Sequence, residues 1–400
     1  MIGSIFESML SIVLLIVVNR MVGEAAGGVF TLAFSHSQLM YYLATLETRP
    51  IQSTDVEQKY SFASYFTLRG LSCVMMLVLS IAYVLFMDGD PFKKRVILYL
   101  CLYRMVEALL DVFAAMFQQH DRIEYSGKVS TLRITVSLVL FTAVLWITKN
   151  LEWACIALLL VTVVTLFTYN LDKWREFPDA TISFETSQLR SLLIACFPLF
   201  LSVFVMLYIS NAPKYAIDRY CTDVVQNRYS ILFMPAFVIN LFSQFFFRPL
   251  LAPMASLWSR NDMGSFSRKL GTLLGEIAAI TAVCLAGAWL LGIPVLSVVY
   301  HVDLSNDKDV LMWVMIYGGL NAVNILLYNM VAVARVQKWL LASYPIAAAV
   351  AFVFSPLLVQ ASGMRGAIAA SISSMVVLDL SLVIILAVAI SGKKKRTSSV

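Results

Sequence analysis

Apolar residues gather in long blocks along this chain. Twelve blocks can be drawn, over 2–18, 26–44, 71–88, 96–117, 131–148, 153–170, 191–210, 229–247, 271–300, 309–332, 339–360 and 366–390. Each holds about 17 residues or more, and a helix rising ~1.5 Å per residue then crosses most or all of ~30 Å of hydrocarbon. Backbone N–H and C=O groups find no water there, so the blocks are predicted to be helices. Barrel strands would alternate apolar and polar residues over about ten positions, and these blocks do not. The predicted fold class is all-α: a polytopic membrane protein with about twelve transmembrane helices.

Composition agrees. The chain is 60% hydrophobic and 14% charged, where soluble domains sit near half apolar and about a quarter charged. The first block has the length of a signal peptide, but no cation precedes it and Glu7 lies early in it, so it reads as a retained helix. Six cysteines form no CxxC pair and three histidines are scattered, so neither a disulfide frame, a metal site nor a cofactor is expected. The net charge of +6 needs no nucleic-acid partner, because topology explains it. With the N-terminus inside, the even-numbered connections and the tail carry 19 Lys and Arg against 10 on the odd ones. Arg69 and Arg133 are counted among the 19. Cations concentrate on the cytoplasmic side, which predicts both termini in the cytoplasm, with Lys93, Lys94 and Arg95 as outward-facing exceptions.

The longest polar connection is LDKWREFPDATISFETSQLR, 171–190. It divides the chain into an N-terminal six-helix bundle (1–170), a cytoplasmic linker (171–190) and a C-terminal six-helix bundle with a basic cytoplasmic tail (191–400). Transporters are commonly built from two such bundles with the substrate between them. No outer connection exceeds about twenty residues, which leaves no room for an external catalytic domain such as a glycan polymerase or ligase needs. No G-x-x-x-x-G-K-[ST] phosphate loop occurs, which excludes ATP hydrolysis by that route.

The fourth block breaks the apolar pattern. It contains YRMVEALLDVF, and Arg104, Glu107, Asp111 and Gln118 fall within about 60° of arc on one helix face at ~100° per residue. Each charge at mid-membrane costs roughly 3 kcal/mol, so the face must turn toward protein or water. Arg104 and Glu107, three apart, can pair. Two readings follow: an ion-pair ladder that fixes how span four packs, or a hydrophilic passage visited by an anionic substrate or a coupling ion, H+ or Na+.

Other polar positions carry weaker signals. Arg20 closes span one, where it heads the passage or snorkels to the interface. In NAPKYAIDRY, 211–220, Pro213 is expected to break the helix ahead of Lys214 and Arg219, giving either a plain outer loop or a mouth that senses charged headgroups. Asn240 and Gln244 share a face of span eight, with Arg248-Pro249 at its cytoplasmic end; Asn321, Asn324 and Tyr328 share a stripe of span ten. Amides commonly bond between helices, which favours a packing role for these. Trp153 and Tyr300 are expected as interface anchors. Asp55 and Glu57 read as a solvated loop face, and the tail SGKKKRTSSV as a topology anchor that binds anionic membrane lipid.

Taken in order, VNRMVGEAAGGVFTLAFSHSQLMYYLATLETRPIQSTD (18–55), SFASYFTLR (61–69), YRMVEALLDVFAAMFQQHDRIEYSGKVSTLR (103–133), NAPKYAID (211–218) and MPAFVINLFSQFFFRPLLAPMASLW (234–258) resemble bacterial polysaccharide-biosynthesis membrane proteins. That is the oligosaccharide-flippase branch of the multidrug/oligosaccharidyl-lipid/polysaccharide exporter superfamily, which also holds the MATE drug exporters and the lipid II flippases. The resemblance runs from the N-terminus to about Trp258. It implies a MATE-like fold in the bacterial cytoplasmic membrane. It also implies translocation of a polyprenyl-diphosphate-linked oligosaccharide to the outer leaflet by alternating access, with other polysaccharide-assembly proteins as partners.

Arginines of such passages hold the diphosphate. Arg104 is the best match, with Arg20, Lys214 and Arg248 as further substrate-binding candidates. Glu107 and Asp111 would position Arg104 or take up the coupling ion, and Gln118, Asn240, Gln244 and Asn324 would line the passage. The competing expectation is a MATE-type cation-coupled drug exporter, which would want acidic residues without a competing Arg.

Overall fold

The computed structural model describes residues 2–55, 57–88, 90–178, 180–247, 250–336 and 339–398, with side chains described except at 2–9, 237, 238, 240–247, 252, 341 and 394–398. The helices are α1 (Ile2–Met21), α2 (Glu24–Thr45), α3 (Thr48–Thr54), α4 (Phe62–Phe86), α5 (Pro91–Gln119), α6 (Ile123–Thr148) and α7 (Leu151–Thr165), the last running through a π turn into α8 (Leu171–Trp174). Then come α9 (Leu189–Tyr220), α10 (Asp223–Phe247), α11 (Leu251–Ser259) and α12 (Met263–Gly287), which passes through a second π turn into α13 (Ile293–Tyr300). The chain ends with α14 (Lys308–Val333) and α15 (Leu340–Ser398). No strand occurs among the described residues.

Every predicted span falls on a helix, as a polytopic helical membrane protein requires. The last two spans share α15, which is broken at Ser362 and Gly363. Gly363 sits at φ 55, a left-handed conformation open to a residue without Cβ. Polar side chains start several helices. Ser61 accepts from the Ser64 N–H, Asp90 from that of Phe92 beside Pro91, Asn150 from that of Glu152 and Asp262 from that of Ser265. Each satisfies a backbone donor that the first helical turn leaves open.

The chain forms two compact units, Met1–Leu207 and Tyr208–Val400, with the boundary inside α9. In the first, α5 is the central helix, packed against α2, α3, α4, α6 and α7. In the second, α14 is central, packed against α10, α11, α12 and α15. Large apolar side chains stay exposed along α4 (Leu71, Val74, Val78, Leu85) and α6 (Leu132, Val139, Ile147), as faces meeting lipid do. Lipid tails are as apolar as leucine, so the units cohere through close contact and interhelical hydrogen bonds. In α14 that contact is tight: a Cβ on Gly319 would stand 2.7 Å from Cγ2 and Oγ1 of Thr281.

Four expectations are corrected. Residues 211–220 are not a loop; α9 continues through Pro213 to Tyr220. Asn211, Ala212, Ala216 and Ile217 are buried, so unwinding here would strand backbone groups away from water, and a proline costs the helix only one donor and a local clash. Tyr300 is 2% exposed and packs inside the second unit instead of marking an interface, whereas Trp153 is exposed as expected. Asp55 is not simply solvated: its carboxylate accepts from the N–H groups of Lys59 and Tyr60 and from the Tyr65 hydroxyl, and so builds the turn into α4. Arg69 and Arg133 do not belong to connections; they lie within α4 and α6, buried. Without them the even-numbered side still leads, 17 to 10.

The 171–190 segment is docked rather than loose. Within it, Glu185 accepts from the Ser61 and Ser187 hydroxyls, and its N–H donates to Thr67 Oγ1. Gln188 Oε1 accepts from Ser61 N–H and Ser64 Oγ. These bonds tie it to the start of α4.

Candidate functional site

The ionic face of α5 is the centre of a buried cluster in the first unit. Glu107 is gripped twice: Arg104, one turn earlier, holds one carboxylate oxygen, and Arg133 of α6 reaches the other at 2.8 Å. Tyr103 links them, its hydroxyl donating to Glu107 and accepting from Arg133, both at 3.3 Å. Asp111, one turn on, is also held twice, by Arg69 of α4 at 3.1 Å and by Arg49 of α3 at 2.9 Å. Four guanidinium groups thus face two carboxylates.

The corner between α2 and α3 brings Arg49 into place. Leu46 and Glu47 are both left-handed, at φ 47 and φ 51, a conformation that costs each non-glycine residue roughly 1–2 kcal/mol. Arg69 offsets it by donating to the Ala44 carbonyl at 3.3 Å and to Thr48 Oγ1 at 2.7 Å, while Ser72 donates to the same carbonyl. Cationic donors on the last carbonyls of a helix satisfy groups that have no partner within it. Without that clamp the chain would leave α2 along another path, and Arg49 would miss Asp111.

Arg104 is 11% exposed. Its guanidinium lies over the rings of Phe34, Tyr103 and Tyr41, 4.6, 5.4 and 5.7 Å from their centres, and donates to Gln38 Oε1 at 3.0 Å. Such stacking favours a desolvated cation. The Nε atoms of Arg104 and Arg69 are buried donors without an acceptor, so the cluster has donors to spare.

A pocket of about 350 Å3 opens on this cluster, walled by Tyr41, Tyr42, Glu47, Arg49, Asp111 and Gln118 among others. Arg49 is its cationic wall and stays 44% exposed; Arg104 lies against Tyr41 from within the protein. Glu47 adds one negative charge at the rim. Burial and the neighbouring Asp111 carboxylate push its carboxyl above the usual range, against the opposing pull of Arg69. On the pocket wall itself Arg49 stands beside two carboxylates, Glu47 and Asp111; across the wider cluster, four guanidinium groups face three carboxylates.

The structure brings together Arg104, Glu107, Asp111 and Gln118, as their spacing on one face predicts. It pairs Asp111 with Arg49 and Arg69, not with Arg104. Arg20 ends α1 exposed. Lys214 and Asn324 belong to the second unit, where Asn324 donates to Asp379 at 2.9 Å. Arg248 and the side chains of Asn240 and Gln244 lie outside the described residues. The sequence reading missed Arg49, Arg69, Arg133 and Asp379. Their partners lie on other helices, although two signals existed: apolar FASYFTL runs straight into Arg69, and Asp379 interrupts VVLDLSLVIIL.

No family model matches the sequence, and no curated protein does. Solved structures do match over almost the whole chain. An inward-facing multidrug resistance MATE family transporter of the MOP superfamily aligns at 15% identity over 97% of this chain and 95% of its own, with a TM-score of 0.70. The lipid II flippase MurJ, in an inward closed conformation, aligns at 14% identity over 96% and 87%, also with a TM-score of 0.70. A MOP superfamily transporter from Pyrococcus furiosus, described as having a binding pocket of reverse polarity, aligns at 12% identity over 98% and 94%, with a TM-score of 0.52. The chain therefore has the fold of these transporters, one of them a multidrug transporter and one a lipid II flippase.

Proposed function

We propose that this protein moves a polyprenyl-diphosphate-linked oligosaccharide across a bacterial cytoplasmic membrane by alternating access, for surface polysaccharide synthesis, with both termini in the cytoplasm. The observation that carries the reading is the buried cluster of four guanidinium groups behind the pocket of the first unit, with Arg49 left half-exposed on the pocket wall. A diphosphate brings negative charge and several acceptor oxygens. Arginine suits it because its planar fork offers paired donors and its charge is weakly hydrated. The half-exposed Arg49 is the group placed to meet the diphosphate first. Arg104, with an unused donor and a stacked guanidinium, keeps the wall behind it positive. Glu107 and Asp111 act as fixed counter-ions that position the arginines.

The alternative is a MATE-type drug exporter, which the fold accommodates equally well. A lipophilic cation entering this pocket would meet Arg49 beside Glu47 and Asp111, and the guanidinium groups of Arg49, Arg69 and Arg104 oppose it. A MOP transporter described as having a reverse-polarity pocket is a precedent for one fold serving different charges.

Deletion of the gene, with complementation, separates the two. Loss of surface polysaccharide with unchanged drug susceptibility is expected, restored by the wild type and not by Arg49→Ala or Arg104→Ala at equal protein level. Increased drug susceptibility with intact surface glycan would overturn the reading in favour of the exporter.

A further inference from the structure

Three carboxylic acids are buried within the described residues: Glu107, Asp111 and Asp379. The first two each face two guanidinium groups. Asp379 differs. It lies in the middle of the second arm of α15, is 7% exposed, and forms no ion pair among the described residues. Its single bond comes from the Asn324 amide of α14, which donates to Oδ1 at 2.9 Å; Oδ2 is buried without a partner.

We propose that Asp379 is a proton-binding site of the second unit, protonated on Oδ2 in the arrangement described and exchanging that proton with water during turnover. A carboxylate buried without a counter-ion keeps its charge only at a large desolvation cost, which a proton removes. The Asn324 amide presents its donor to Oδ1, which leaves Oδ2 to carry the hydrogen.

Among the described residues, no charged group of the neighbouring helices pairs with Asp379; on α9, whose Ser210 meets Tyr317, the nearest charge along the helix is the half-buried Lys214, one turn on. From α14 the facing groups are Asn324 and the phenol of Tyr317. Lys308 and Asp309 stand in the first turn of that helix. On α12, also packed against α15, Arg268 and Glu276 are exposed and Lys269 is half-buried near the helix start. On α15 itself, Arg365 pairs with Asp309, and Lys393 bonds the Trp258 carbonyl of α11. Tyr229 of α10 bonds Ser371, two turns before Asp379. A metal ion would need several oxygen ligands, and no group of three or more His, Cys, Asp or Glu side chains that could hold one occurs among the described residues.

The chemistry is a single proton transfer. The Oδ2–H bond breaks, its electron pair stays on oxygen, and the proton passes to water; reprotonation reverses it. The step rests on the transport reading only for its place in turnover, since protonation of Asp379 does not depend on the cargo.

Infrared difference spectroscopy of the full-length chain in lipid tests the proposal. At neutral pH the wild type is expected to show a carboxylic-acid C=O band that Asp379→Asn lacks and that moves in Asn324→Ala, where the acid survives without its donor. Raised to alkaline pH, the wild type should lose the band reversibly and release one proton per chain more than Asp379→Asn. Identical bands in wild type and Asp379→Asn would overturn the proposal. So would loss of the wild-type band on adding sodium at constant pH, which would make the site a metal site. If the band behaves as expected while gene deletion leaves surface glycan intact, the cargo reading fails and the proton site stands.

Discussion

Arg69 Nη2 stands 3.1 Å from Asp111 Oδ2, joining α4 to α5 through a side chain with no exposure and one with 7%. Removing one partner of a buried pair leaves the other uncompensated, which costs ~3–5 kcal/mol, whereas replacing both with apolar groups is often close to neutral. Arg69→Met is therefore expected to destabilise the detergent-solubilised protein by at least that amount, and Arg69→Met with Asp111→Leu to recover the part due to the stranded carboxylate but not the part due to the lost bonds to the Ala44 carbonyl and Thr48. Arg49 does not hinder the recovery, because at 44% exposure it can turn to water. Thermal melting of the three forms measures this, and a double variant no more stable than the single one would show that the pair is not self-contained.

Gly319 sets the distance between α12 and α14. A Cβ there would meet Cγ2 and Oγ1 of Thr281 at 2.7 Å, and a β-branched side chain has little rotamer freedom with which to yield. Gly319→Ala should cost ~1–3 kcal/mol by overpacking. Adding Thr281→Ala removes both clashing atoms and should return most of the loss, read by the same melting experiment.

The linker contact is predicted to depend on pH. Hydrogen bonds from Ser61 and then Ser187 hold the Glu185 carboxyl below the usual carboxylate range. A carboxyl whose folded pKa is depressed contributes stability above its unfolded value and loses it as pH falls through the folded one. Acid below the usual carboxylate range should therefore loosen residues 180–188 from α4, seen as faster nicking of the linker by an acid protease. Glu185→Gln should remove that dependence, and a linker equally protected at all pH values would contradict it.

How much of this was legible in the sequence follows from what each signal depends on. The spans were, because membrane length and apolar content fix them locally. The face shared by Arg104, Glu107, Asp111 and Gln118 was, because helical spacing alone places those residues together. Arg69 and Arg133 were not, since a cation near the end of an apolar run reads as solvated unless its partner on another helix is known. Arg49 needed the two left-handed residues at 46 and 47, which no glycine announces. Pro213 misled because burial of Asn211, Ala212, Ala216 and Ile217 outweighs one lost donor. Asn324 stood out as an amide of span ten and Asp379 lay in plain view as a lone acid, but only the fold pairs them, with Nδ2 2.9 Å from Oδ1.

The most direct measurement is equilibrium binding of a polyprenyl diphosphate to the purified protein, alongside the same polyprenol without phosphate and a lipophilic cation. The diphosphate should bind at least ~10-fold tighter than either. Arg49→Ala should weaken the diphosphate alone by about 10–100-fold, as expected for loss of a hydrogen bond to a charged group worth ~1.5–3 kcal/mol. Equal affinity for diphosphate and alcohol, an unchanged affinity in Arg49→Ala, or a preference for the cation would contradict an anion-receiving pocket in the first unit.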